Sequence, residues 1–124
     1  MARRSRSAEG LGRTNDPSIL ILTSLASGPK HGYALSKDIE AWAGVTLGPG
    51  TLYGAISRLD ERGLIEPIEG DDRRRPYRIT AEGRAALASA VRDLRVIADE
   101  GAARLGLARR PASVDPSQQL GWTQ

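Results

Sequence analysis

The sequence predicts a mainly α-helical fold that contains one two-stranded β-hairpin and ends in a long helix. Three observations support this fold class. Three short apolar segments with helical spacing come first, two short strands around a polar turn follow, and a long apolar stripe at three- and four-residue spacing comes last. A chain of 124 residues has room for one domain rather than two.

The first helix is predicted to begin at Pro17, because Asp16 is a suitable N-cap and proline is favoured at the first helical position. The four consecutive apolar residues 19–22 leave this helix without a polar face, and we therefore expect it at the centre of the core. A Ser-Gly-Pro sequence at 27–29 ends it. Residues 1–15 are rich in Arg, Ser and Gly and are predicted to form a flexible basic arm, either a phosphate-seeking tether or simply disordered chain.

The second helix is predicted over residues 32–42. Four apolar residues share one of its faces and are expected in the core: Ala34, Leu35, Ile39 and Trp42. The alternative for Trp42 is a place at a dimer crevice, where its ring would stack on a small-molecule effector. His31 precedes the helix and is interpreted as a turn or cap residue rather than a ligand or a pH switch.

The third helix is predicted over residues 49–62 and is stopped by Gly63. Its buried stripe spans about 100° of arc and consists of Leu52, Ala55, Ile56 and Leu59. The outward face carries Gly54, Ser57, Arg58 and Glu61, with Thr51 and Tyr53 on the flanks. A glycine inside a helix costs about 1 kcal/mol relative to alanine, so Gly54 suggests that this face approaches another surface closely.

Two short strands are predicted at 64–68 and 76–79, and the polar segment 69–75 joins them as a β-hairpin. Between residues 64 and 79 the four acids precede all four arginines, so the charges are segregated although they cancel. The basic side chains of this segment are Arg73, Arg74, Arg75 and Arg78. Such a hairpin tip is either a solvated turn or, beside a nucleic acid, a phosphate-binding one.

The last helix is predicted to begin after Thr80 and to run to about residue 106. Its length and its apolar stripe favour a partner helix, and the alternative is that it folds back on its own domain. The residues expected at a dimer interface are Leu87, Val91, Leu94, Ile97 and Leu105. Residues 108–124, which include Trp122, are predicted to form a flexible tail.

Composition excludes several classes of function. The chain has no cysteine and one histidine, which rules out thiolate zinc sites, cysteine nucleophiles and multi-histidine metal sites. No nucleophile and base are arranged around His31, so we expect neither an enzyme nor a bound cofactor. The N-terminus has no apolar stretch of a secretory signal, and we expect a cytoplasmic protein.

The order helix, helix, helix, hairpin, long helix is that of a winged helix–turn–helix, in which the third helix enters the major groove of DNA. Ser57 and Arg58 are then the side chains that reach base edges. The helix start at Gly50 and Thr51 offers backbone N–H groups to a phosphate. Tyr53 either adds a hydroxyl to a phosphate contact or is a half-buried packing aromatic. The chain's net charge is +3, a mild excess that resides in the two tails.

Three stretches resemble the PadR-like family of transcriptional regulators and together extend over about residues 17–107. Residues 30–35, KHGYAL, resemble the start of the family's second helix. Residues 47–65, from LGPGTLY to LDERGLI, resemble its recognition-helix signature, which is the most specific of the three. Residues 73–83, RRRPYRITAEG, resemble its wing and the entry to its last helix. Gly48 departs from the family pattern, in which serine is common before the Pro-Gly pair.

The resemblance implies a homodimeric repressor of the branch with a single C-terminal helix. Such a protein binds inverted-repeat DNA and releases it when a small molecule binds near the dimer interface. Position by position, the resemblance makes Tyr33, Gly50, Thr51, Tyr53 and the wing arginines candidates for DNA contact.

The expected organisation has four parts: the arm 1–15, a DNA-binding domain 16–79, a dimerisation helix 80–107 and the tail 108–124. The alternative function is a winged-helix module that binds another protein and has no specific affinity for DNA. The small charge excess and the acids beside the wing support that alternative.

Overall fold

The structure is a computed structural model that describes residues 16–70 and 75–107. Its elements follow the predicted order, and the mainly α winged-helix fold class is confirmed. The elements are helix α1 (Pro17–Leu25), helix α2 (Gly32–Ala43), helix α3 (Pro49–Glu61), strand β1 (Ile65–Pro67), strand β2 (Tyr77–Ile79) and helix α4 (Ala81–Leu105).

Three of the four described helices, α1, α2 and α4, begin after a residue whose side chain accepts a hydrogen bond from the first turn. Asp16 Oδ1 accepts from the Ser18 N–H at 2.8 Å, and His31 Nδ1 accepts from the Ala34 N–H at 3.4 Å. The Thr80 hydroxyl accepts from the Gly83 N–H at 3.0 Å. The predicted capping roles of Asp16, His31 and Thr80 are therefore confirmed.

Helix α1 lies at the centre of the core, as its unbroken apolar run predicts. Ile21 is fully buried, and the helix contacts both α2 and α3. The buried apolar residues of the described chain are Leu20, Ile21, Leu22, Leu25, Leu35, Ile39, Leu52, Ala55, Ile56, Leu59, Leu64, Ile65 and Ile79. Removing this apolar surface from water is the main favourable term in the stability of the fold.

Strands β1 and β2 pair antiparallel, with Ile65 opposite Ile79 and Pro67 opposite Tyr77. Each strand is shorter than predicted, because Pro76 has no N–H with which to return the bond that it accepts from Ile68. One further bond, from the Ile68 N–H to the Pro76 carbonyl at 2.9 Å, extends the pairing towards the tip.

On its other side, β2 pairs with the loop between α1 and α2. The Lys30 N–H donates to the Tyr77 carbonyl at 3.1 Å, and the Tyr77 N–H donates to the Lys30 carbonyl at 3.0 Å. The base of the hairpin is therefore fixed to the turn that precedes α2.

The chain divides into two compact units between Ala90 and Val91. In the first unit, the start of α4 packs against the domain core through Ala86 and Leu87. Gly83 is buried in this contact, where a Cβ would collide with the Leu64 carbonyl oxygen and lie 2.8 Å from Ile79 Cγ1. In the second unit, the α4 residues 92–101 are all exposed.

The prediction that Trp42 lies in the core is wrong. Its side chain is 48% exposed, and its indole N–H donates to Asp38 Oδ2 at 3.2 Å. An indole carries a donor that requires a partner, and here that partner lies at the surface. The partly buried residues that pack against this part of the core are Ala43 and Val45.

Candidate nucleic-acid interface

Helix α3 divides into a buried face and an exposed face. The four predicted core residues of its apolar stripe are all buried, with Ala55 fully enclosed. On the opposite face, Thr51, Ser57 and Arg58 are exposed. The structure therefore leaves the predicted DNA-contacting face of α3 open to solvent.

Arg58 lies on this open face one helical turn after Gly54. Its Nη1 atom is 3.6 Å from the point where a Cβ on Gly54 would stand. Among the residues that the structure describes, none forms an ion pair with the guanidinium. Its five N–H donors are consequently available for an acceptor outside the domain.

The N-terminus of α3 offers unsatisfied backbone donors. Gly48 is its N-cap and has no side chain to cap it, and the first intrahelical bond runs from the Leu52 N–H to the Gly48 carbonyl at 2.9 Å. The N–H groups of Gly50 and Thr51 therefore precede the hydrogen-bonded part of the helix. The first turn contains no acid, so its positive end is not neutralised and suits an anion such as a phosphate.

Tyr53 connects α3 to the start of α2. Its ring lies against Gly32, where a Cβ would collide with the phenolic hydroxyl and come within 2.8 Å of Cζ. Tyr53 remains 52% exposed although it packs against Gly32, so its position is that of a half-buried aromatic. Gly32 is the sequence signal for this contact, because a larger residue there would displace the ring.

Tyr33 follows Gly32 and is 68% exposed. The Lys37 ammonium lies 5.8 Å from the centre of its ring and 3.5 Å from the Glu40 carboxylate. A hydrogen bond from the Thr46 hydroxyl and then the charge of Lys37 hold the pKa of Glu40 below its usual value. The start of α2 thus presents an exposed phenol beside a cation that already has an acidic partner.

The described part of the wing carries one of the three predicted phosphate-binding arginines. Arg75 is exposed, whereas Arg73 and Arg74 lie outside the described residues. Arg78 donates to Glu66 on the opposite strand at 2.7 Å. Glu66 on the opposite strand therefore holds Arg78 of the wing in place.

A polar network behind the interface was not found from the sequence. The Lys30 ammonium donates to the Ser24 carbonyl at 2.6 Å, to the Ser27 hydroxyl at 3.0 Å and to the Gly28 carbonyl at 3.3 Å. The buried Ser24 hydroxyl donates to Asp38 Oδ2 at 2.6 Å. The position of Lys30 soon after the end of α1 is the signal that could have predicted its contacts, since a cationic side chain near the end of a helix can donate to the last carbonyls.

The residues predicted for dimerisation differ in their surroundings. Leu87 is partly buried against the core of its own domain, and Val91 is also partly buried. Leu94, Ile97 and Leu105 are 42%, 69% and 75% exposed. The apolar stripe of α4 is therefore accessible from Leu94 onward in a single copy of the chain.

Two kinds of feature are absent from the described residues. Within them no group of acidic or histidine side chains is arranged to hold a metal ion. No helix in that part of the chain is long and apolar enough to cross a membrane. The arm 1–15, the tail 108–124 and Trp122 lie outside the described residues.

Comparison with known proteins connects this arrangement to a family. The sequence profile of the transcriptional regulator PadR-like family matches residues 21–89. The match begins in α1 and extends through the wing into α4, so it includes the exposed face of α3 and the contact between Tyr53 and Gly32.

Individual relatives agree with this match. The chain is 36% identical over 83 residues to a transcriptional regulator of Mycobacterium tuberculosis, covering 64% of this chain and 77% of that protein. It is 49% identical over 75 residues to an uncharacterised 37.1 kDa protein in a transposon of Streptomyces fradiae, covering 60% of this chain but only 22% of that protein. Among solved structures, a PadR family transcriptional regulator from Eggerthella lenta is 33% identical, with a TM-score of 0.59 and coverage of 71% of this chain and 80% of that one.

Proposed function

Because this chain belongs to the PadR-like family of transcriptional regulators, we propose that it is a homodimeric repressor that binds an inverted-repeat operator and releases it when a small molecule binds. DNA-binding transcription regulation is the function of the family, whose members are regulators and not enzymes. The observation that carries the proposal is the open face of α3, on which Arg58 has no ionic partner among the described residues.

In this proposal α3 enters the major groove, and Ser57 and Arg58 contact base edges there. An arginine that has no ionic partner among the described residues suits a bidentate contact to guanine, since its planar fork matches two acceptors on one base edge.

Backbone and side-chain donors around α3 bind the phosphates on either side of the groove. The N–H groups of Gly50 and Thr51 bind one phosphate, and the hydroxyls of Tyr53 and Tyr33 bind others. The wing arginines, Arg73, Arg74 and Arg75, add sequence-independent affinity through the phosphates beside the duplex.

The second half of α4 supplies the dimer contact in this proposal. The exposed apolar residues Leu94, Ile97 and Leu105 recur at a spacing that suits packing against the same helix of a second copy. Two copies related by a two-fold axis bind two half-sites of opposite orientation, which explains an inverted-repeat operator. The exposed indole of Trp42 is the candidate contact for an effector.

Comparing Arg58→Ala with Arg75→Ala tests the assignment of the two surfaces. Each variant would be titrated into a fluorescent duplex that carries a selected operator and into a scrambled duplex. Arg58→Ala is expected to reduce the preference for the operator by about 1–3 kcal/mol, because a bidentate base contact is lost. Arg75→Ala is expected to weaken binding to both duplexes and to lower the salt slope by about one.

Equal losses on both duplexes for Arg58→Ala would remove Arg58 from the residues that contact bases. A wild-type protein that binds both duplexes equally would instead favour the protein-interaction module.

A further inference from the structure

Five glycines lie within helices of the described chain, and a Cβ on Gly50 or Gly101 would meet nothing within 4 Å. The other three are Gly83, Gly32 and Gly54, which differ in their surroundings. Gly83 and Gly32 have neighbours within the chain that a Cβ would strike, namely the Leu64 carbonyl oxygen and the Tyr53 ring. Gly54 has no such neighbour: Arg58 Nη1, at 3.6 Å, is the nearest atom to its hypothetical Cβ. Packing within the domain therefore explains the first two glycines and does not explain Gly54.

Gly54 is costly for the helix that contains it. It lies in the middle of α3, and glycine is the residue that disfavours a helix interior most after proline. The backbone of Gly54 has an ordinary negative φ, so no unusual conformation requires glycine there. Neither the backbone nor the described core therefore requires glycine at position 54, and the neighbour that a longer side chain would meet there is Arg58, on the exposed face of the helix.

The guanidinium of Arg58 occupies the space above Gly54. Long side chains in helices point back towards the N-terminus, and Arg58 follows this rule, since its Nη1 reaches the level of a residue four positions earlier. A methyl group at position 54 would only touch Nη1 at 3.6 Å, an ordinary contact distance. A longer side chain at position 54 would occupy the volume that the guanidinium holds.

We propose that Gly54 is a specificity-determining residue, which leaves its helix face bare so that the Arg58 guanidinium lies low over it, aimed at one base. The inference rests on the proposed function, because it concerns how α3 selects a sequence. A guanidinium that is held against the helix loses less conformational freedom when it binds a base than one that extends freely into solvent. Gly54 acts through Arg58 and is therefore a positioning residue.

A different use of the same glycine predicts a different outcome. If Gly54 served only to let the wall of the groove approach α3, any added side chain would weaken binding whether or not Arg58 were present. If Gly54 acts through Arg58, an added side chain has no further effect on base preference once Arg58 is removed. A double-mutant cycle separates the two, since residues that share one contact give non-additive effects.

The test uses the full chain as wild type and as Gly54→Leu, Arg58→Ala and the double variant, each selecting sites from a pool of random duplexes. Leucine favours a helix and cannot replace a lost hydrogen bond. We expect Gly54→Leu and Arg58→Ala to flatten the preference at the same base position by about fivefold or more. The double variant should match Arg58→Ala, and affinity for a random duplex should change by less than about twofold in all three variants.

Two controls separate this effect from changes in stability. Gly54→Ala should keep the base preference, because its methyl group fits beside the guanidinium, while melting a few degrees higher, about 4 °C. Ser89→Ala, at an exposed position of α4, should raise the melting temperature without changing any base preference.

Three results overturn the inference. Gly54→Leu could keep the wild-type preference, or it could lose affinity equally in the presence and absence of Arg58, and either result removes the role of Gly54 in positioning Arg58. A wild-type protein that selects no sequence at all would overturn the proposed function and this inference together.

Discussion

Gly83 lies where the first turn of α4 meets the residues that lead into the wing. A Cβ at this position would collide with the Leu64 carbonyl oxygen and stand 2.8 Å from Ile79 Cγ1. The Leu64 oxygen also accepts the Thr80 N–H at 3.1 Å, so it cannot move away without losing a bond at the start of the same helix. Because Gly83 has a hydrogen atom in place of a Cβ, the first turn of α4 can lie this close to Leu64 and Ile79.

We predict that Gly83→Ala lowers the free energy of unfolding by about 1–3 kcal/mol, because a methyl group must displace backbone atoms in a packed contact. Urea denaturation followed by circular dichroism would measure the change. Gly54→Ala is the matched control, because its methyl group would meet only the Arg58 side chain at an ordinary contact distance, and the substitution should raise stability by up to about 1 kcal/mol. A Gly83→Ala variant as stable as the control would contradict the contact described here.

Single residues were predictable where one local rule decides their role. Asp16, His31 and Thr80 precede helices and cap them, and the stripe of α3 is buried as its spacing requires. Trp42 was not predictable in this way. Its spacing suits the core, but its indole donor finds the Asp38 carboxylate at the surface, and helical periodicity contains no information about that partner.

Helices α1 and α2 are joined by a chain of polar contacts as well as by the core. The buried Ser24 hydroxyl of α1 donates to Asp38 of α2, and the same carboxylate accepts from the Trp42 indole. The Lys30 ammonium adds bonds to the last turn of α1, while its backbone pairs with Tyr77 of β2. The turn between the two helices is thus tied to the base of the wing.

We predict that Asp38→Ala lowers the free energy of unfolding by about 1–3 kcal/mol, because the buried Ser24 hydroxyl loses its acceptor. Asp93→Ala provides a control, since Asp93 is exposed and the described chain gives its carboxylate no side-chain donor. Thermal denaturation of the two variants beside the wild type would measure the difference. Equal stability of Asp38→Ala and Asp93→Ala would show that the network contributes nothing.

The order and the type of every described element could be predicted from local patterns, and the ends of the strands could not. The apolar run of α1 and the stripe of α3 are periodic over enough residues to identify a helix. The wing strands contain three residues each, so a single proline, Pro76, changes their limits, because it cannot donate to the ladder. The bridge between Lys30 and Tyr77 joins residues far apart in the sequence and has no local signal.

Several elements form the candidate site. The sequence predicted which residues of the site are exposed better than it predicted which side chains contact each other. The outward residues Thr51, Ser57 and Arg58 are exposed as expected from the third helix alone. The packing of Tyr53 on Gly32 and the placement of Arg58 over Gly54 depend on rotamers, which spacing does not specify.

At the scale of the whole molecule, the proposed function requires two copies of the chain. We predict that Ile97→Glu converts the dimer into a monomer, because it places a charge within an apolar contact. Val96→Glu is the matched control: Val96 is 67% exposed and Ile97 is 69% exposed, but Val96 lies off the stripe formed by Leu94, Ile97 and Leu105. Sedimentation velocity would measure the oligomeric state.

A dimeric Ile97→Glu variant would contradict the assigned stripe, and a monomeric Val96→Glu variant would show that the interface uses another face of α4. The monomer that we expect should still bind a single half-site, but its affinity for the complete inverted repeat should fall, because the second half-site no longer benefits from linkage to the first.

The central claim is that this chain selects a DNA sequence, and fluorescence anisotropy on the DNA upstream of its own gene tests that claim most directly. The full chain would be titrated into that duplex and into a scrambled duplex of the same composition at several salt concentrations. The account predicts a preference of about a thousandfold or more and an affinity that falls steeply with salt. Equal affinity for the two duplexes at every salt concentration would contradict it.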